Sequence, residues 1–335
     1  MKKIIGVSLS VATLLFMGCS GKKYFEPEKT YKAAGAISGH KGKSVYLTRD
    51  GVTFDTQTYI SKKGAGIVTL GTGQHYLSES SAYVLAANGQ GALTLISKRS
   101  KKVIKTISFD APVISAGMKN GKIVYLLQDN TFGIYKLSTG KKLIENKSED
   151  AFAVDARIAS PLFVDNLAVI PTLDGKLLIV DMQNPENAKV IYVSSKTNLN
   201  NIIYLSRMGN TLVAATPNRL MIIGNAEGEF SEGISEVSIA NKAIYLFTKS
   251  GEVIKFSPQL KELARKKFKF AHFSVATAFG NHVYAMDQKG SLIVLNSALT
   301  KYRIYDVGDV NDFAFISGHK IYKDNEVVSL DKLGR

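Results

Sequence analysis

The side chains able to do chemistry are few, and their spacing organises almost none of them. The five histidines are His40, His75, His272, His282 and His319. No two stand at a ligand spacing such as His-x-x-x-His, so the sequence offers no metal-binding helix face. No Gly-x-Ser-x-Gly nucleophile turn occurs. Gly71-Thr72-Gly73 and Gly89-Gln90-Gly91 lack the strand–turn–helix setting of a phosphate loop and read as turns. One thiol, Cys19, is available in the whole chain. We therefore expect no catalytic residue, no metal ligand and no cofactor, and the chain reads as a non-enzyme.

The segment around Cys19 explains that thiol. Lys2 and Lys3 are followed by an uncharged, mostly apolar run from Ile4 to Met17, then Gly18-Cys19 and the polar Ser20-Gly21-Lys22-Lys23. A charged start, a short apolar run and a small residue before the cut form a secretory signal. Fourteen residues fall short of the roughly 20 that a membrane-spanning helix needs. With Phe16-Met17-Gly18-Cys19 at the cleavage point, the pattern resembles a lipoprotein signal, in which the Cys is acylated and becomes the new N-terminus. Acylation also removes a lone thiol from an oxidising compartment. The expected division is residues 1–18 as signal peptide, residues 19–31 as lipidated tether and closing strand, and residues 32–335 as one domain. Ser20, where an Asp is absent, favours an outer-membrane destination facing the periplasm.

Composition bounds the remainder. Apolar residues make up 45% of the chain and the formal net charge is +15. Lys outnumbers Arg 35 to 8, which we read mainly as compositional drift on solvated faces. Such a charge attracts anionic headgroups or acidic partners over long range. Nucleic acid is an improbable partner for an exported chain without an aromatic-studded basic motif.

The middle of the sequence is a repeat array. An apolar run, a tight turn and a second apolar run recur eight times, with turns at Asp50-Gly51, Asn88-Gly89, Asp129-Asn130, Asp174-Gly175, Pro217-Asn218, Ser250-Gly251, Lys289-Gly290 and Asp324-Asn325. Gly and Asn tolerate the positive φ that hairpin turns demand. The spacing runs from 33 to 45 residues, near the length of a four-stranded propeller blade. Continuous rather than alternating apolar runs suit strands buried on both faces. The prediction is an all-β, eight-bladed β-propeller, seven blades being possible, whose ring is closed by an N-terminal strand. In the third unit, Pro112–Met118 should be the innermost strand and Lys141–Asn146 the outermost. Leu260–Lys266 could hold two helical turns at most. In the first unit the inner strand should lie near Ala33–Ser38, with Tyr24–Lys32 completing the last blade. The recurring Tyr46, Tyr83, Tyr125, Tyr245, Tyr284 and Tyr322 read as packing between blades.

Several stretches carry a resemblance. Ser160-Pro161-Leu162-Phe163-Val164-Asp165-Asn166-Leu167 with Leu173-Asp174-Gly175-Lys176-Leu177-Leu178-Ile179-Val180-Asp181 is one. Val310-Asn311-Asp312-Phe313 with Lys320-Ile321-Tyr322 is another, and Leu137-Ser138-Thr139-Gly140-Lys141 a third. Together with the lipid signal and the unit count, they resemble the quinoprotein-like propellers, in particular the BamB family of outer-membrane assembly lipoproteins. The chain departs from that family in having no Trp, and Val310–Phe313 lies in the last unit rather than an earlier one. The dehydrogenases sharing this repeat use a tryptophan floor and an adjacent disulfide beneath their cofactor; no Trp and one Cys exclude that activity. The resemblance implies a monomer within a complex that binds the outer-membrane assembly barrel protein. Asp155 and Arg157, on a loop-bearing face, are the candidate partner-binding residues. The alternative is a module binding a small molecule, glycan or metal in the central channel.

Overall fold

The computed structural model describes residues 23–151, 154, 157–195 and 198–333. Cys19 and Asp155 lie outside the described residues, as does the expected signal peptide.

The described chain is built from strands, with one 3-10 turn at Leu330–Lys332 and no α-helix among the described residues. Eight separate sheets, antiparallel apart from one added strand, follow one another along the sequence and form an eight-bladed ring. In blades 2 to 7 each sheet runs in order from an inner to an outer strand. Blade 3 shows the plan: Val113–Lys119, Lys122–Leu127, Thr131–Lys136 and Lys141–Lys147. The expected inner and outer strands of that unit are thus found within a residue of their predicted bounds. The middle strands are apolar on both faces because each sheet packs on two neighbours. Val124, Leu126 and Ile134 of blade 3 join a cluster with Ala168, Ile170 and Leu178 of blade 4, while Tyr125 and Leu127 face blade 2. Burying one such aliphatic side chain contributes about 1.5–3 kcal/mol.

Inner-strand serines tie the blades edge to edge. Ser78 donates to the Ala116 carbonyl at 2.6 Å, Ser115 to Ala159 at 2.9 Å and Ser317 to Ser61 at 2.6 Å. The last of these closes the ring between blades 8 and 1.

The recurring turn glycine has a second purpose. Gly91, Gly175, Gly251 and Gly290 all have positive φ. Their carbonyls accept from Phe109, Val193, Phe268 and Val307, where the outer strand of the same blade ends. A Cβ on Gly251 would stand 2.2 Å from the Phe268 carbonyl oxygen. In blade 3 Asn130 takes this place, with φ of 67° and Ser148 donating to its carbonyl.

Three expectations need correction. Blade 8 has only Ala314–Ser317, Lys320–Lys323 and Glu326–Ser329 of its own, and its fourth strand is Ile37–Gly39, paired antiparallel with Ile37 opposite Val328. The N-terminal part of the chain does close the ring, but not through residues 19–31 or Tyr24–Lys32. Tyr31–Lys32 instead adds a fifth, parallel strand outside blade 7. Ile37–Gly39 takes the closing place because an unfinished three-stranded sheet leaves a ladder of unpaired groups beside it. Blade 1 is consequently shifted: Ser44–Leu47 is its first strand, and Asp50-Gly51 joins its first and second strands rather than its second and third. Locally that turn is indistinguishable from the others. Finally, Glu262–Lys267 is the outer strand of blade 6, not helix; its pairing with Glu252–Phe256 overrides a weak helical propensity.

Candidate functional site

Two cavities sit where the inner strands converge. The first, about 490 Å³, is lined by inner-strand residues of blades 6, 7 and 8 and by the Leu47–Arg49 turn of blade 1. Inside it Arg49 donates two hydrogen bonds to the Glu236 carboxylate, at 2.9 and 2.5 Å. Arg49 belongs to blade 1 and Glu236 to the inner strand of blade 6, Ile234–Ala240, so the pair spans the channel. The side chains are 9% and 13% exposed. Burial pushes the Glu236 carboxyl upward, but the Arg49 guanidinium, aided by Arg157, outweighs it and holds the group below the usual carboxylate range. The same turn reaches blade 4 as well. Asp50 bonds Lys62 at 2.9 Å, and although burial opposes its ionisation, Lys62, Ser160 and Arg49 hold it below the ordinary range.

Arg157 is the described member of the expected pair of partner-binding residues. It donates to the Ser235 carbonyl at 2.7 Å and approaches Glu236 at 3.8 Å. Its side chain is thus drawn toward the channel and engaged within the protein. Arg49 and Glu236 were not foreseen, and no local signal marks them. They become neighbours only when the ring closes.

The second cavity, about 470 Å³, opens among blades 1 to 4 and has Tyr46, His75, Pro112, Val113 and Ile158 in its wall. The Tyr46 and His75 rings stack at 3.6 Å and 19°. His75 is 8% exposed, and its Nε2 has no hydrogen-bond partner among the described residues. Burial pushes its pKa down to about 4, so the ring is neutral at physiological pH.

The remaining sequence candidates resolve into construction. Tyr125, Tyr245 and Tyr284 are buried between blades, whereas Tyr46 stands at the channel. His282 begins a strand and His319 immediately precedes one. No group of three or more His, Cys, Asp or Glu among the described residues could hold a metal ion.

No protein-family model matches the chain. In sequence it is similar to plasminogen-binding protein PgbB of Helicobacter pylori strain J99, 25% identical over 364 aligned positions covering 94% of this chain and 67% of that protein. The same protein from strain 26695 is likewise 25% identical. In structure it is similar to BamB from Moraxella catarrhalis, with a TM-score of 0.66 at 13% identity, covering 87% of this chain and 98% of that one. It is also similar to the C-terminal WD40 domain of Sif2, at a TM-score of 0.64, 12% identity and coverage of 88% and 98%. At such identities the structural likenesses show the fold alone. The chain is an eight-bladed β-propeller of BamB-like architecture, similar along nearly its whole length to a protein named for binding another protein.

Proposed function

We propose that this protein is a non-catalytic scaffold, anchored to the outer membrane by lipid on Cys19 and facing the periplasm, that binds other proteins during assembly of outer-membrane β-barrels. The observation that carries this reading is the parallel pairing of Tyr31 with Tyr305 and Lys32 with Asp306 on the outer edge of blade 7. An outer edge of this ring accepts an extended segment from within the chain, and an incoming strand of a partner would use the same ladder of backbone groups. The outer strand of blade 2, Val103–Ser108, presents such an edge, with Val103 and Ile104 more than half exposed. An uncovered, β-branched edge strand is a template for pairing.

The channel supports the alternative, a bound small molecule, glycan or metal, less well. Its buried carboxylate, Glu236, is already engaged by Arg49 and approached by Arg157. A second protein partner is favoured by a specific observation: the likeness to PgbB extends over 94% of the chain, which supports plasminogen as the bound protein.

Affinity purification of the tagged protein from its own cells, with partners identified by mass spectrometry, tests the assembly reading. The assembly barrel protein should be recovered, and Val103→Asp with Ile104→Asp should reduce its recovery. Deleting the gene should lower the level of folded barrels. Normal barrel levels without recovery of the barrel protein would overturn this reading. Direct binding of purified plasminogen in that case would favour the second partner.

A further inference from the structure

We infer that the outer face of blades 6 and 7, together with residues 23–32, lies against an anionic phospholipid surface. Two features converge there. The first is aromatic and apolar exposure: Tyr24, Tyr31, Leu263, Phe270 and Tyr302 are all exposed. The second is a set of cations laid on those rings. Lys23 and Lys269 lie over Phe270 at 5.6 and 5.0 Å, Lys266 over Tyr302 at 4.9 Å and Lys289 over Tyr24 at 5.2 Å. The patch is continuous, since Phe25 packs edge-on to Phe268 at 5.9 Å and Phe268 to Tyr302 at 5.2 Å. Tyrosines with an apolar body and polar tip, flanked by lysines whose stems lie on apolar surface, match the headgroup layer of a bilayer.

Charge and chain path favour lipid over an acidic protein. From Lys261 to Lys269 there are five cations and one carboxylate, Glu262, which Arg265 holds at 2.9 Å. Glu252 is likewise engaged by Arg265 and Lys267. Lys23, Lys266 and Lys269 have no carboxylate partner among the described residues. The described chain begins on this face, with Lys23 over Phe270. Lys23 lies four positions after Cys19, a reach of at most about 14 Å. A lipid on Cys19 would therefore hold this face, rather than the opposite blade 2, next to the membrane. The inference rests in that respect on the proposed lipid anchor; the charge and ring pattern stand without it.

The test uses the chain from Ser20 to Arg335, which holds every described strand, and vesicle flotation. Vesicles contain phosphatidylcholine with or without about a third phosphatidylglycerol. The protein should float only with the anionic vesicles. Each cation near an anionic surface strengthens binding about fivefold, so Lys23→Glu with Lys266→Glu and Lys269→Glu should weaken it about a hundredfold or more. Lys101→Glu with Lys102→Glu and Lys105→Glu, on blade 2, carries the same charge change and should weaken it far less. Thermal melts confirm that both variants fold. Equal losses in the two variants, or no flotation of the parent, would overturn the inference. Lipid labelling of Cys19 in cells is measured separately, so loss of the anchor and loss of the face are distinguishable.

Discussion

Arg49 and Glu236, 187 residues apart in sequence, meet across the central channel through two hydrogen bonds. The contact is formed by the turn of the first blade and the inner strand of the sixth. It therefore reports that the ring is closed.

Glu236→Ala should leave Arg49 without its bidentate counter-ion in a site that is mostly screened from water. Breaking such a pair costs about 3–5 kcal/mol. Replacing both partners, Arg49→Met with Glu236→Leu, should cost clearly less. Urea unfolding of the two variants measures the difference. Equal destabilisation would mean that the pair does not act as a unit.

His75 makes stability depend on pH. Its folded pKa, about 4, lies below the unfolded value of about 6.5, so the unfolded chain binds the proton first. The contribution is complete above pH 6.5 and is lost as pH falls toward 4. Between pH 7.5 and 5 the loss should be about 2 kcal/mol. His75→Phe should flatten that part of the profile, as read by denaturant unfolding at each pH. An unchanged slope would place the titration elsewhere.

Gly251 should not tolerate a side chain. Gly251→Ala combines a φ of 81° with a Cβ 2.2 Å from the Phe268 carbonyl, and should cost about 2–3 kcal/mol. Gly89→Ala, where no atom of the described residues lies within 4 Å of the new Cβ, should change stability by less than about 0.5 kcal/mol. Calorimetry of the pair checks whether the repeat glycine is needed for the fold-back of the outer strand rather than for turning alone.

Ring closure should depend on Ile37–Gly39. Proline at both Ile37 and Ser38 removes a ladder donor whichever residue faces Val327–Val328, and should cost about 3 kcal/mol or more. Removing residues 23–32 should cost less, because Tyr31–Lys32 only adds to a blade that already has four strands. A larger thermal shift from the truncation than from the prolines would reverse this assignment.

Cys19→Ala should abolish incorporation of labelled fatty acid and prevent lipid-dependent retention of the mature chain on membranes. Labelling that persists in the variant would remove Cys19 as the acceptor.

The sequence by itself determined the all-β class, the number of units and most strand positions. Hairpin turns and apolar runs are local, and Asn130 or Gly251 needs only its near neighbours to reveal a turn. The tyrosine repeat was legible for the same reason: Tyr125 is a good strand residue in a doubly covered sheet. Tertiary structure alone decided which strand completes the last blade. Ile37–Gly39 and Tyr31–Lys32 are both short extended segments, and what separates them is the open edge of Glu326–Ser329 nearly 290 residues away. It also decided the channel. Arg49 beside a turn and Glu236 in a strand look like solvated charges until closure of the ring removes water from both and leaves each as the other's counter-ion.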